Sequence, residues 1–221
     1  MFQKHKAKVA EQKAEKQYQS DLAKWEVQDK LFTSYIEVAK TFKGNSSGEI
    51  MLKPGEALFY KVTGASLVGE KRGAGHYEGR SQGVSVPIGH IGHSTVRYRA
   101  GASKGHFVQG TPYEAAVDVG TAFITNRRVI FEGAKQTREC SFDKLIGTNF
   151  DTQKGQATFS TSNRQKPTTI HYGLDVSAFF VFRFQLAMAY YKHTLPQLMD
   201  YLVKHKAELE ANKPIPPAQT T

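Results

Sequence analysis

Between residues 115 and 172 the chain gives a strand signal every few residues, with turn formers in between. Runs rich in β-branched and aromatic side chains cover 115–119, 121–125, 128–132, 137–142, 147–151, 156–161 and 168–172. Asn126-Arg127, Gly133-Ala134, Lys154-Gly155 and residues 163–166 supply the turns. Short strands at this spacing are the pattern of antiparallel sheet. The period then changes. From 174 to 191, Phe179, Phe180, Phe182, Leu186, Met188, Ala189 and Tyr190 form a broad apolar face at helical spacing. A helix of that kind closes a β sandwich or an open barrel. Upstream, Pro54-Gly55 reads as a turn into a strand over 56–62, where Phe59, Tyr60 and Val62 suit extended backbone.

Helices are expected on both flanks. Residues 1–43 contain no Gly and no Pro and are rich in Ala, Lys, Glu, Gln and Leu, which predicts one long helix. Tyr18, Leu22, Trp25, Phe32, Ile36 and Ala39 step by threes and fours, interrupted at Asp29, as on an amphipathic or coiled-coil-like helix. Leu22, Trp25, Phe32 and Ile36 are the expected interface, for self-association or docking. Before Tyr18 the stripe fades, so the first turns have little to pack against and are expected to project. Residues 44–54, opening Gly-Asn-Ser-Ser-Gly, form a linker, and a domain boundary is expected there. Thr194 is a candidate cap and Pro196 fits a first turn, so a last helix is expected over 194–212. A disordered tail is expected over 213–221.

The span 64–110 is the unusual one. It holds 11 of the chain's 19 glycines and six cations, Lys71, Arg72, Arg80, Arg97, Arg99 and Lys104, against Glu70 and Glu78. Strands are expected at 84–88 and 95–99, with glycines at bulges, turns or close backbone approaches. A basic, glycine-rich insertion in a β domain is the expected ligand surface.

The order of elements combines with the wording of one hairpin. Residues 120–131 read Gly-Thr-Ala-Phe-Ile-Thr-Asn-Arg-Arg-Val-Ile-Phe. This resembles the Gly-x-x-x-Ile-Thr-Asn-x-Arg-x-Ile-Phe signature of bacterial PH-like and GRAM-like domains. Glu132-Gly133 and the run Phe142-Asp-Lys-Leu-Ile146 extend the likeness, which covers residues 55 to about 191. The insertion and both flanking helices depart from it. The resemblance implies an α+β fold: a PH/GRAM-like antiparallel β sandwich or open barrel over 55–193, capped by a C-terminal helix and preceded by a long N-terminal helix. It also implies a scaffold for lipid headgroups, peptides or homo-oligomer contacts, without saying which. In the hairpin itself, Phe123 alternates with Thr125 and Val129 with Phe131, while Asn126 takes the turn, where a positive φ is tolerable. Arg127 and Arg128 are added to the six insertion cations as candidate anion contacts.

Composition bounds the function. The formal net charge is +10, which favours an anionic partner: lipid headgroups, an acidic protein or nucleic acid. The basic N-terminus is followed by no apolar segment of the signal-peptide kind, and the single Cys140 reads as a small buried hydrophobe, so a cytoplasmic protein, at most peripheral to a membrane, is expected. His90 and His93, with His76 and His106 in the same insertion, have a metal-like spacing but lack Cys or organised carboxylates, and no metal or other cofactor is expected. Gly101-Ala-Ser-Lys-Gly105 is not a P-loop, since no Ser or Thr follows Lys104. Gly79-Arg-Ser-Gln-Gly83 is not a nucleophile elbow, and no carboxylate pair suits acid–base chemistry, so no catalytic residue is expected. The expectation is a non-enzymatic binding or scaffold module for an anionic surface or partner, with a homo-oligomer among its expected contacts. The alternatives are nucleic-acid binding, with Tyr77, Tyr98 and Phe107 stacking on bases, and a purely structural subunit.

Overall fold

The computed structural model describes residues 2–91 and 94–217, and their side chains except at 2–8, 10 and 79–104. Over the described residues it is α+β: three α-helices, a 3-10 turn at Phe142–Lys144 and nine strands, seven of them in one antiparallel sheet. The sheet strands are β1 (Leu58–Arg72), β4 (Pro112–Thr125), β5 (Arg128–Gly133), β6 (Thr137–Ser141), β7 (Leu145–Asp151), β8 (Gln156–Thr161) and β9 (Thr168–His171). β2 (His76–Ile91) and β3 (Ser94–Val108) pair with each other as a separate two-stranded ribbon.

Strand order across the sheet is β6-β5-β4-β1-β9-β8-β7. With the ribbon set aside, each strand lies beside its predecessor in sequence except β7, which starts a second meander that returns through β9 to β1. β1 is therefore shared. It pairs with β4 along its whole length, from Leu58↔Thr125 to Arg72↔Pro112, and with β9 at Ser66, Leu67 and Val68. β1 carries three register shifts against β4, one of them between Leu67 and Val68, where β9 also pairs with it.

Each side of the hairpin β4–β5 is buried by a different element. Ala122 and Ile124, across from Phe131 and Val129, face the main core. Phe123 and Ile130 pair on the opposite face and are 1% and 6% exposed. The linker before β1 crosses that face: Glu49 pairs with Lys61 and Lys53 with Glu139, the two ends of the cross-strand row Lys61–Phe123–Ile130–Glu139. The strand signals expected at 115–119 and 121–125 are one continuous strand, and β1 runs ten residues beyond Val62, so the first part of the glycine-rich span belongs to the main sheet.

Helix α2 (Ser177–Lys192) closes the core, as the change of period implied. Phe180 stacks on Tyr172 with ring centroids 3.9 Å apart, and Phe184 packs among Phe142, Phe150 and Phe159. Cys140 is buried within this core, and burial pushes its thiol pKa up. Arg183, on the same helix, lies over the Phe42 ring at 4.5 Å, and its buried Nε and Nη1 have no hydrogen-bond partner among the described residues. Among the described residues no helix is long and apolar enough to cross a membrane.

α1 (Phe2–Thr41) is a single helix, about 60 Å long at 1.5 Å per residue. Its apolar stripe is spent inside the chain. Trp25 Nε1 donates to Leu209 O at 2.7 Å, Phe32 stacks on His205, and Lys206 Nζ donates to Thr33 Oγ1, so α1 runs antiparallel to α3 (Leu195–Ala211). Tyr35 stacks on Phe182 of α2 with centroids 3.9 Å apart, and Ile36 packs on the core. Leu22 is half-buried on the same stripe. Of the interface expected at Leu22, Trp25, Phe32 and Ile36, for self-association or docking, the last three thus dock on the chain's own α3 and core, a partner that the sequence does not reveal. The turns before Tyr18 stand clear of the body, with residues 11–17 exposed. Replacing Trp25 by Ala removes a half-buried ring and its hydrogen bond, and is expected to cost about 1–3 kcal/mol in a urea melt.

Candidate functional site

Thr125, Asn126, Arg127 and Arg128 form the turn between β4 and β5, and the hydrogen bonds of its side chains explain the wording of the hairpin. Arg128 Nε donates to Glu56 Oε1 at 2.8 Å and Nη2 to Glu56 Oε2 at 2.9 Å, while Nη1 donates to Glu139 Oε2 at 2.7 Å. Nη2 also reaches Met51 O at 2.8 Å. Glu56 further accepts from Thr125 Oγ1 and from the Lys53 backbone N–H, both at 2.7 Å. Asn126 Oδ1 accepts from Ala57 N–H and its Nδ2 donates to Gly55 O.

This network corrects two expectations. Arg128 is not an open anion contact: its side chain is 10% exposed and both of its faces are taken by carboxylates. Asn126 is not there for a positive φ, since among the described non-glycine residues only His193 has one. It is there to clasp the turn Pro54-Gly55. Burial pushes the Glu56 carboxyl up, but Arg128, the Lys53 N–H and Thr125 outweigh it and leave its pKa lowered. Glu139 behaves alike, with burial opposed by Ser141, Arg128 and Lys53. The same network raises the Arg128 pKa against the desolvation that would lower it. Asp118 performs a similar service at the β5–β6 turn, where it accepts from the backbone of Lys135 and Gln136, which outweigh desolvation and lower its pKa.

Arg127, next in the same turn, points outward. Its guanidinium lies against Gly55, where a Cβ would come within 3.3 Å of Nη2, and Gly55 itself has φ +72°. It borders a cleft of about 620 Å³ with Lys53, Asp143, Tyr191 and His193 on its other walls.

The remaining expected cations are on or beside the ribbon. Lys71 and Arg72 are exposed in the last pairs of the main sheet, against Tyr113 and Pro112, and Arg72 hydrogen-bonds Gln109. Beyond them the ribbon register sets Arg80 directly across from Lys104, while Arg99 faces Ser85 and Arg97 faces Pro87, nearer the tip. The side chains of these four lie outside the described ones. The backbone thus places the six cations along one ribbon and its base, and it puts Arg127 elsewhere: Leu58 and Thr125 end the long β1–β4 pair opposite to Arg72 and Pro112, roughly 45 Å away at about 3.3 Å per residue.

At the ribbon base, Tyr77 and Phe107 face each other and are 69% and 60% exposed. A Cβ on Gly105 would strike the Tyr77 ring, and one on Gly75 the Phe107 ring, so these glycines make room for aromatic rings laid over the backbone. His76 Nε2 is 3.0 Å from Glu78 Oε1. Among the described residues no three His, Cys, Asp or Glu side chains converge to hold a metal; the His90–His93 pair lies outside the described side chains. Comparison with protein-family models, with curated proteins and with solved structures finds no significant match to the chain.

Two outcomes test the network. Arg128→Met leaves Glu56 buried without its partner and is expected to cost about 3–5 kcal/mol in denaturant melts. Arg183→Met, which orphans no carboxylate, is expected to cost less than about 1 kcal/mol. Because folding lowers the pKa values of Glu56, Glu139 and Asp118 from 4.5, 4.5 and 3.8, their contribution is full above pH 4.5 and lost as pH falls through the folded values. The urea midpoint should therefore hold from pH 7 to pH 5 and fall below pH 4.5, with a shallower fall in Glu56→Gln.

Proposed function

We propose that the chain is a non-enzymatic binding module of the PH/GRAM-like kind, which recognises an anionic lipid surface through its basic ribbon from the cytoplasmic side. Several observations support the PH/GRAM-like reading. Two consecutive antiparallel meanders share β1, an apolar helix follows the last strand and closes the core, and the hairpin wording Ile-Thr-Asn-x-Arg has a structural purpose at Thr125, Asn126 and Arg128.

One observation carries the functional part. Among the described residues β2 and β3 pair with each other and with no strand of the main sheet, so a ribbon of up to 16 residues a side, about 50 Å long, is joined to the body at its base. A two-stranded ribbon is at best marginally stable alone in water, and a surface that covers it adds the missing burial. Its cations and those at its base outnumber its acids, which selects an anionic surface. The exposed Tyr77 and Phe107 rings suit an interfacial position and favour a second reading, stacking on unpaired bases of a nucleic acid.

Vesicle sedimentation separates these. Vesicles of phosphatidylcholine with phosphatidylglycerol are expected to retain the protein at low salt and release it at high salt, while pure phosphatidylcholine does not retain it. Replacing Lys71, Arg72, Arg80, Arg97, Arg99 and Lys104 together by Gln should weaken retention at least tenfold. No retention on anionic vesicles at low salt rules out the lipid reading, and a salt-dependent mobility shift of single-stranded oligonucleotide in its place supports the second.

A further inference from the structure

The exposed rings of this chain are not spread evenly. Among the described side chains Tyr77 and Phe107 are the two most exposed aromatics, at 69% and 60%, and the pairing of β2 with β3 sets them on one rung of the ribbon. Opposed residues of an antiparallel pair share a face, so both rings lie on the same side. Each is laid over a glycine across the ribbon, Phe107 over Gly75 and Tyr77 over Gly105, and leaves its other side to solvent. Glu78, the one carboxylate between residues 76 and 108, falls on the next rung and therefore on the opposite face, where it is engaged with His76 at 3.0 Å. Cations stand on both sides of the ring pair along the chain. Lys71 and Arg72 are exposed at the end of β1, and Arg80 is set across from Lys104 three residues beyond Tyr77.

We infer that the Tyr77–Phe107 rung is the part of the chain that enters the boundary between headgroups and acyl chains of an anionic bilayer, with the cations on either side of it at the lipid phosphates. The inference rests on the lipid reading of the ribbon and adds to it the point of insertion. Attraction between basic residues and an anionic surface holds a protein near that surface, but it is screened within about 8–10 Å at physiological salt and takes nothing out of water. Attachment strengthens with the apolar area buried at the interface in addition to the electrostatic attraction. Two rings side by side on an acid-free face supply that area, and the tyrosine hydroxyl suits a depth at which one end of the ring stays wet. The rung thus puts the apolar contribution between the charged ones, so that both act on the same patch of membrane.

Fluorescence of the full chain carrying Tyr77→Trp, mixed with vesicles of phosphatidylcholine and phosphatidylglycerol, reads the depth directly. The native Trp25, half-buried against α3, sets the background and is recorded from the wild type under the same conditions. Emission of the variant is expected to shift to the blue on binding and to be quenched by lipids brominated along their acyl chains, while the wild type does neither. Replacing Tyr77 and Phe107 together by Ser, which leaves every cation in place, should weaken vesicle retention at low salt about tenfold or more with the melting temperature unchanged. Tyr201→Ser, at a tyrosine of similar exposure on α3, should leave retention as it is. A wild type that anionic vesicles do not retain overturns the lipid reading and the insertion with it, and a Tyr77→Trp signal that then responds to single-stranded oligonucleotide assigns the rung to unpaired bases. Retention with an unshifted, unquenched Tyr77→Trp signal, or a double Ser variant retained as well as the wild type, overturns the insertion alone and leaves the cations as the contact.

Discussion

A buried guanidinium held by two carboxylates fixes the geometry on which the rest of the β domain depends. Arg128 gives up its solvation to Glu56 and Glu139, which come from opposite sides of it in sequence: one just before β1, the other on β6. A charge pair this far from water is stabilising only when its remaining lone pairs and protons are also met, and Thr125, the Lys53 N–H and the Met51 carbonyl meet them. The result ties the linker, the start of β1, the β4–β5 turn and β6 into one unit, with Asn126 clasping the turn beside it. With the linker anchored there, Phe123 and Ile130 have a cover on the face of the sheet that α2 does not reach.

The second organising feature is the sharing of β1 between two meanders. β1 pairs with β4 along its length and with β9 at its middle, and it carries three register shifts, irregularities of the kind that let a strand bend. The same length carries β1 well past the point where β9 pairs with it. The chain then leaves the sheet, runs out and back as the β2–β3 ribbon, and re-enters at Pro112 in register with Arg72. The ribbon is consequently an extension of a hairpin already closed by the main sheet, so its composition is free of the demands of the core. That freedom is where glycines and cations accumulate.

Much of this was legible in the residues. Turn formers between β-branched runs gave the strands after 120 close to their observed bounds, the change to helical spacing after 174 gave α2, and the Pro and Gly-free N-terminus gave α1. The polar positions were not legible. Arg127 and Arg128 are adjacent and of one type, and only the pleat, which sends one inward to Glu56 and the other out over Gly55, separates a structural arginine from an exposed one. Glu56 gave no signal at all, because a carboxylate after a Pro-Gly turn ordinarily faces water. The stripe on α1 is legible as apolar while its cover is not, since periodicity reports that a face is buried and says nothing of what buries it.

By itself the sequence determined the type and order of the elements, because turn chemistry, β-branching and helical period act over a few residues and need no distant partner. It also determined the basic, glycine-rich character of the ribbon. Tertiary structure alone decided which charges are neutralised in the interior, which helix covers α1, and that four of the six cations lie along a ribbon outside the main sheet with the other two at its base. Each of these depends on contacts between residues tens to more than a hundred positions apart, such as Glu56 with Arg128 or Trp25 with Leu209. Such pairings are set by how the sheet bends and where α2 and α3 lie, which no local pattern encodes.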